Sequence, residues 1–120
     1  MPSRLARGMV VDISLDPTIG PEVRQVRPCV IIQNDVGNQA SSVLIVAAMT
    51  DAGHVRHPFP VDVFVPKGDG GLERDSVVLC NQLRTVDKAR VGKTHGILSD
   101  KTMRKVDKAL RISLGFDDAE

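Results

Sequence analysis

The chain has 120 residues, a formal charge of +1 and a hydrophobic fraction of 42%, enough for a single core and too balanced for a polycation that coats nucleic acid by charge alone. It has no Trp, no Tyr and only Phe59, Phe64 and Phe116 as rings, so the core must be built from Val, Ile, Leu, Ala and Met. Any reading of unpaired bases would have to rest on hydrogen bonds and aliphatic contacts in place of the usual aromatic stacking.

Along the chain, Met9, Val11 and Ile13 alternate with Val10, Asp12 and Ser14, which predicts a half-buried strand over 8–14. A turn-rich polar loop then delivers Arg27 to the start of an apolar run, Cys29 to Ile32. That run and Val43 to Met49 read as central strands covered on both faces. Between them, Asn34 to Asn38 predicts a turn or a short helical excursion. Phe59, Val61, Val63 and Val65 alternate around Pro60 and Asp62, the pattern of an edge strand that tolerates proline. Lys67 to Gly71 breaks the chain, and Val77 to Leu83 resumes a strand. Thr85 to Arg90 can hold one short helical turn. Ser99 caps a helix whose Met103, Val106, Leu110 and Leu114 fall on one face. Short strands, Gly/Pro-rich connections and one terminal helix predict a mainly β (β plus α) fold: one domain over residues 1–120, built as a small barrel or strongly bent antiparallel sheet with a C-terminal helix.

Charge is uneven. From Arg84 to Arg111 nine Lys/Arg stand against three Asp, whereas residues 31–83 carry six acids and three bases. The basic third could face a phosphate backbone or simply be the solvated side of the helix. Cys29 and Cys80 lie in apolar runs without a pairing motif, as expected of buried reduced thiols. With no signal-like or membrane-length apolar stretch, a cytoplasmic location and no membrane association are expected.

Common catalytic motifs are weak here. His54-x-x-His57 sits in a proline-bounded loop and reads as polar surface, so no metal and no cofactor are expected. No nucleophile elbow or phosphate loop is present. RNA cleavage by the ribose's own 2′-hydroxyl needs neither a protein nucleophile nor a metal. It needs alignment, charge neutralisation and help for the departing 5′-oxygen. A guanidinium fork matches phosphate oxygens and keeps its charge. Arg27 at the start of one central strand and Thr50 at the end of another are suitable pieces if those strands are neighbours. Each has an ordinary alternative: Arg27 as a solvated or salt-bridged residue, Thr50 as a strand terminator.

The same residues carry a wider pattern. Arg7-Gly8, Asp16-Pro17-Thr18-x-Gly20-x-Glu22-(x)4-Arg27-Pro28, Asn34-Asp35-x-Gly37-Asn38 and Ile45-Val46-Ala47-Ala48-Met49-Thr50 resemble the MazF/PemK family of toxin endoribonucleases, closest to its Gram-positive-type members. The likeness continues through Leu72-Glu73-Arg74-Asp75-Ser76-Val77, Gln82-Leu83-Arg84-Thr85-Val86-Asp87-Lys88 and Val106-Asp107-Lys108-Ala109-Leu110. It implies an SH3-like barrel, a homodimer, and a metal-independent enzyme that cuts single-stranded RNA at short sequences. The expected ends are a 2′,3′-cyclic phosphate and a 5′-hydroxyl, and the expected inhibitor is a cognate MazE-like antitoxin. By position the resemblance gives Arg27 to the scissile phosphate, Thr50 to a phosphate oxygen or the 2′-hydroxyl, and Glu22 to the general base or the loop. It sets Asn34, Gln82 and Arg84 along the RNA. Met9, Pro21 and Val23 depart from the usual pattern, and Leu79 and Asn81 occupy the places of an Arg-x-Asp used in another branch, which favours Arg27 with Thr50. The alternative is a non-catalytic, CcdB-like toxin of the same fold that binds DNA gyrase. A plain SH3-like module lacks support because the aromatic groove for proline-rich ligands is missing.

Overall fold

The computed structural model describes residues 4–15, 26–56 and 59–119. Six strands form one antiparallel sheet in the order β4-β5-β3-β2-β1-β6. They are β1 (Met9–Ser14), β2 (Val26–Ile31), β3 (Val43–Asp51), β4 (Asp62–Val65), β5 (Ser76–Asp87) and β6 (Val91–Ile97). A short helix α1 (Asp35–Ala40) joins β2 to β3, and α2 (Asp100–Ser113) closes the chain.

Side chains alternate across the sheet, and both of its faces are buried. Val10, Val30, Ala47, Met49, Val63, Val65 and Val78 form one apolar layer, sealed by Val106, Ala109 and Leu110 of α2. Met9, Val11, Ile13, Cys29, Ile31, Leu44, Val46 and Val86 form the layer on the other face. Each fully buried Val or Ile in these layers stabilises the fold by roughly 1.5–3 kcal/mol before ordering costs. The continuous apolar runs of β2 and β3 thus have the expected origin, and β4 is an edge strand as its proline-rich approach predicts. It is shorter than the alternation suggested, because Phe59 and Pro60 stay exposed outside it.

Two elements differ from the sequence reading. Residues 85–87 extend β5, leaving only Lys88–Arg90 as a helical turn. The strand β6 had no apolar alternation to announce it, since most of it is exposed or half-buried. Its place comes from backbone pairing with β1 and from the side chains of His95 and Asp12, whose Nε2 and Oδ1 stand 2.8 Å apart. The 3-10 turn Asp69–Gly71 packs on this strand. A Cβ on Gly71, where φ is +75°, would lie 1.9 Å from the His95 carbonyl oxygen, so only glycine allows the approach.

The motif Asn34-Asp35-x-Gly37-Asn38 is a hydrogen-bonded knot. The Asn34 side chain caps α1 by accepting from Gly37 N at 2.8 Å. Asp35 Oδ1 accepts from Arg7 N and from Asn38 Nδ2, and these bonds, Arg7 N first, hold its carboxyl below the usual range. Arg7 also donates from Nε to Ile32 O and pairs through Nη2 with Asp107 of α2, both at 2.8 Å. One arginine therefore ties the end of β2 to both helices.

Ser99 caps α2 as expected, accepting from Thr102 N. Asp69 in turn holds that cap, accepting from Ser99 N at 2.8 Å, from Ser99 Oγ at 3.0 Å and from Thr102 Oγ1 at 2.5 Å. Burial disfavours the Asp69 carboxylate, but these hydrogen bonds outweigh it and lower its pKa. A lowered folded pKa contributes stability above the unfolded value, near 4 for Asp, and that stability is lost as pH falls through the folded value. Asp69→Ala should cost about 1–3 kcal/mol at pH 7 in urea unfolding. The gap between variant and wild type should narrow as the pH falls below about 4.

Candidate functional site

The register Cys29↔Ala48, Val30↔Ala47 and Ile31↔Val46 fixes β2 against β3. Continued two residues toward the strand ends, it sets Arg27 opposite Thr50 on one face of the sheet. The same face carries Arg84, which is paired with Val46, and Leu15 beyond Ile13. The second apolar layer therefore ends in a set of polar and cationic side chains.

They line an open groove of about 570 Å³ with Arg27, Thr50, His54, Arg56, Gln82 and Arg84 on its walls. Among the described residues three guanidinium groups and one carboxylate, Asp62, line it, a balance that favours an anion. A second groove of about 530 Å³ contains Arg74, Lys93 and His95 among its residues. Among the described residues Arg27, Thr50 and His54 are the three common to both grooves. They stand where the grooves meet.

Local backbone features aim these groups. Between Ala47↔Leu83 and Ala48↔Leu79 the β3–β5 register jumps, so residues 80–82 form a bulge in β5. Bulges re-aim side chains, and this one turns Asn81 and Gln82 into the first groove. After β3, Asp51 caps the 3-10 turn Ala52–His54 by accepting from Gly53 N at 2.8 Å. Arg74 Nη1 lies 3.3 Å from Asp51 Oδ2, and Ala52 N donates to Asp75 O. The Gly53 hydrogen bond, with Arg74 second among the favourable contacts, keeps Asp51 ionised to lower pH than usual. This turn brings His54 Nδ1 to 3.4 Å from Thr50 Oγ1.

Of the residues singled out in the sequence, Arg27, Thr50, Gln82 and Arg84 converge on the first groove. Asn34 does not line either groove and instead caps α1. Glu22 lies outside the described residues. His54, which reads as loop surface in the sequence, is brought beside Thr50 by the 3-10 turn Ala52–His54. Among the described residues no three His, Cys, Asp or Glu side chains gather to hold a metal ion.

A family model for the PemK-like, MazF-like toxin of type II toxin–antitoxin systems matches residues 6–114. The chain is 45% identical over 113 residues to endoribonuclease MazF of Staphylococcus epidermidis, covering 94% of this chain and 93% of that protein. It is 45% identical over 112 residues to endoribonuclease EndoA of Bacillus subtilis (strain 168), covering 93% and 96% respectively. Its fold is similar to that of an endoribonuclease in complex with its cognate antitoxin from mycobacterial species, with a TM-score of 0.77 at 24% identity over 94% of this chain and 97% of that one. A MazE–MazF structure from Deinococcus radiodurans gives a TM-score of 0.78 at 19% identity, over 97% and 100%.

Cys29 lies on the same face as Arg27, two residues further into the core, with its Sγ 3.7 Å from Arg27 O. Burial pushes its thiol up to about 11, against the opposing pull of Arg84 and Arg27. Burial, with Asp62 and Asp107 adding to it, pushes Cys80 up to about 12. Neither is a thiolate at neutral pH, and neither offers a nucleophile. Iodoacetamide at pH 8 should leave both cysteines unmodified in the folded protein and alkylate both in denaturant, as read by intact mass. Rapid labelling of either in the native state would contradict their burial.

Proposed function

The chain belongs to the family of PemK-like, MazF-like toxins of type II toxin–antitoxin systems, and from that premise we infer an endoribonuclease that cuts single-stranded RNA at short sequences without a metal. Endoribonuclease is also the name of the two 45%-identical relatives. The observation that carries the mechanism is the meeting of two grooves at Arg27 and Thr50. A strand running through both grooves would have its scissile phosphate at that junction.

There the 2′-hydroxyl attacks the adjacent phosphorus, the 2′-O–P bond forms and the P–O5′ bond breaks. The products are a 2′,3′-cyclic phosphate and a 5′-hydroxyl. The Arg27 guanidinium neutralises charge building on the non-bridging oxygens, and the Thr50 hydroxyl donates to one of them. Gln82 and Arg84 line the path of the flanking nucleotides, Gln82 for base edges and Arg84 for phosphate. Asn34 caps α1 and lines neither groove, so no contact with the RNA is assigned to it. Glu22, four residues before β2 in sequence, is a candidate base or loop organiser.

A cognate MazE-like antitoxin would compete for the basic groove with an acidic segment, in keeping with the family and with the relatives solved as toxin–antitoxin complexes. Exposed Val26, Ile45, Phe64, Ile97, Leu114 and Phe116 provide apolar surface for a homodimer. No helix among the described residues is long and apolar enough to cross a membrane, in keeping with action in the cytoplasm on mRNA. The gyrase-binding alternative is not favoured, because a pure binder has no use for the Arg27–Thr50 pair and the near relatives are named as endoribonucleases.

The test is a long transcript incubated with the protein in EDTA, with 5′ ends mapped. Replacing the ribose at a mapped cut with deoxyribose should stop scission there, and cutting that persists would reject the reaction. Arg27→Ala should lower the single-turnover rate by about 10²–10³-fold with the fold retained by circular dichroism. A wild-type rate in that variant would remove Arg27 from the mechanism.

A further inference from the structure

The transesterification needs an acceptor for the 2′-hydroxyl proton, and neither arginine nor threonine serves well in that part. We propose that His54 is the general base of this site, taking that proton on Nε2 while Nδ1–H donates to Thr50 Oγ1. The inference rests on the endoribonuclease reading above and deepens it. Three observations converge on it. Among the described residues, His54 shares only with Arg27 and Thr50 the junction of the two grooves. Its Nδ1 stands 3.4 Å from Thr50 Oγ1, a long contact of the kind that tightens when substrate binds. Its imidazole is exposed, so the far nitrogen is open to a ligand.

The position is also built. The turn that carries His54 is capped by Asp51, and Asp51 is held by Gly53 N and Arg74. A surface histidine of no consequence would need no such support. With Nδ1–H on Thr50, the threonine hydroxyl proton is free for a phosphate oxygen, so one chain of donors runs from imidazole through hydroxyl to the substrate. The step balances simply. The 2′-oxygen gives its proton to His54 Nε2 and its electron pair to phosphorus. The 5′-oxygen leaves with the P–O pair and takes a proton from water in the open groove. The imidazolium then returns its proton to solvent.

Charged groups face His54 from each neighbouring element. Arg27 on β2, Arg84 on β5, Arg56 beyond the turn, and Arg74 and Lys93 across the second groove are cationic. Among the described residues Asp51, Asp62 and Glu73 are the carboxylates, and His95 on β6, within 2.8 Å of Asp12, is a second imidazole. Among the described residues these cations outnumber the carboxylates, which draws a phosphate toward the junction. Imidazole is also the side chain suited to take and return a proton near neutral pH.

The experiment is the pH dependence of single-turnover cleavage for wild type, His54→Gln and Glu22→Gln, with affinity measured on an uncleavable oligonucleotide carrying one deoxyribose at the cut. In wild type the rate should climb with pH on the acidic side as the base loses its proton. In His54→Gln that limb should vanish and the rate fall by about 10²–10⁴-fold, with affinity for the deoxy oligonucleotide within about threefold of wild type. Glu22→Gln should keep the limb however far its rate drops. The proposal is overturned if the limb survives in His54→Gln, if it disappears only in Glu22→Gln, or if His54→Gln loses affinity in proportion to rate, which marks a structural role. A wild-type protein that cuts no RNA would instead reject the endoribonuclease reading itself.

Discussion

The side-chain period of a strand is two, so the pairing of β2 with β3 decides what stands at the junction of the two grooves. A slip of one residue would turn Arg27 to the helix-covered face and leave Thr50 opposite Pro28 or Val26. That slip is prevented from both sides, because Val30 and Ala47 belong to one apolar layer while Cys29, Ile31 and Val46 belong to the other, all fully buried. Moving either strand by one position would exchange the two layers. The hydrophobic cores, far from the chemistry, are therefore what fix the arginine and the alcohol relative to each other.

The two layers contribute differently. The face covered by α2 is closed by helix packing, and Asp69 and Arg7 pin that helix to the sheet at separate points. The opposite face is apolar as far as Cys29 and Ala48; Arg27 and Thr50 follow them, and Arg84 stands beside Val46. An apolar floor leading to a cationic rim lowers the local dielectric next to the charges and strengthens their pull on a phosphate relative to open solvent. Asp62 and Asp51 keep the rim from being uniformly positive. Asp51 is occupied in holding the turn that carries His54.

What could be read in the residues follows from how each is held. The strands β2 and β3 and the helix α2 were legible because burial on both faces, or on one helical stripe, leaves a period in the sequence. The strand β6 left none: it is half-exposed and is kept by backbone pairing, His95–Asp12 and the Gly71 approach, all of which act between distant residues. At the candidate site, Arg27 and Thr50 stand out from their places at the ends of two apolar strands, whereas Gln82 and Arg84 are pointed to by the family resemblance alone. Asn34 was associated with the RNA path, and its side chain turned out to be a helix cap. His54 was passed over since its contact with Thr50 depends on a 3-10 turn that sequence alone does not announce.

The β5 bulge at residues 80–82 separates two tasks within one strand. On its Val77 to Leu79 side the ladder locks Thr50 in register; within the bulge, Asn81 and Gln82 are released from pairing and exposed. In the proposed endoribonuclease, substitutions of Asn81 or Gln82 would change contacts with flanking nucleotides while the ladder that places Thr50 stays intact. A lineage of such toxins could therefore diversify its targets by drift at Asn81 and Gln82, with Cys80 held in the core, while its chemistry stays constant.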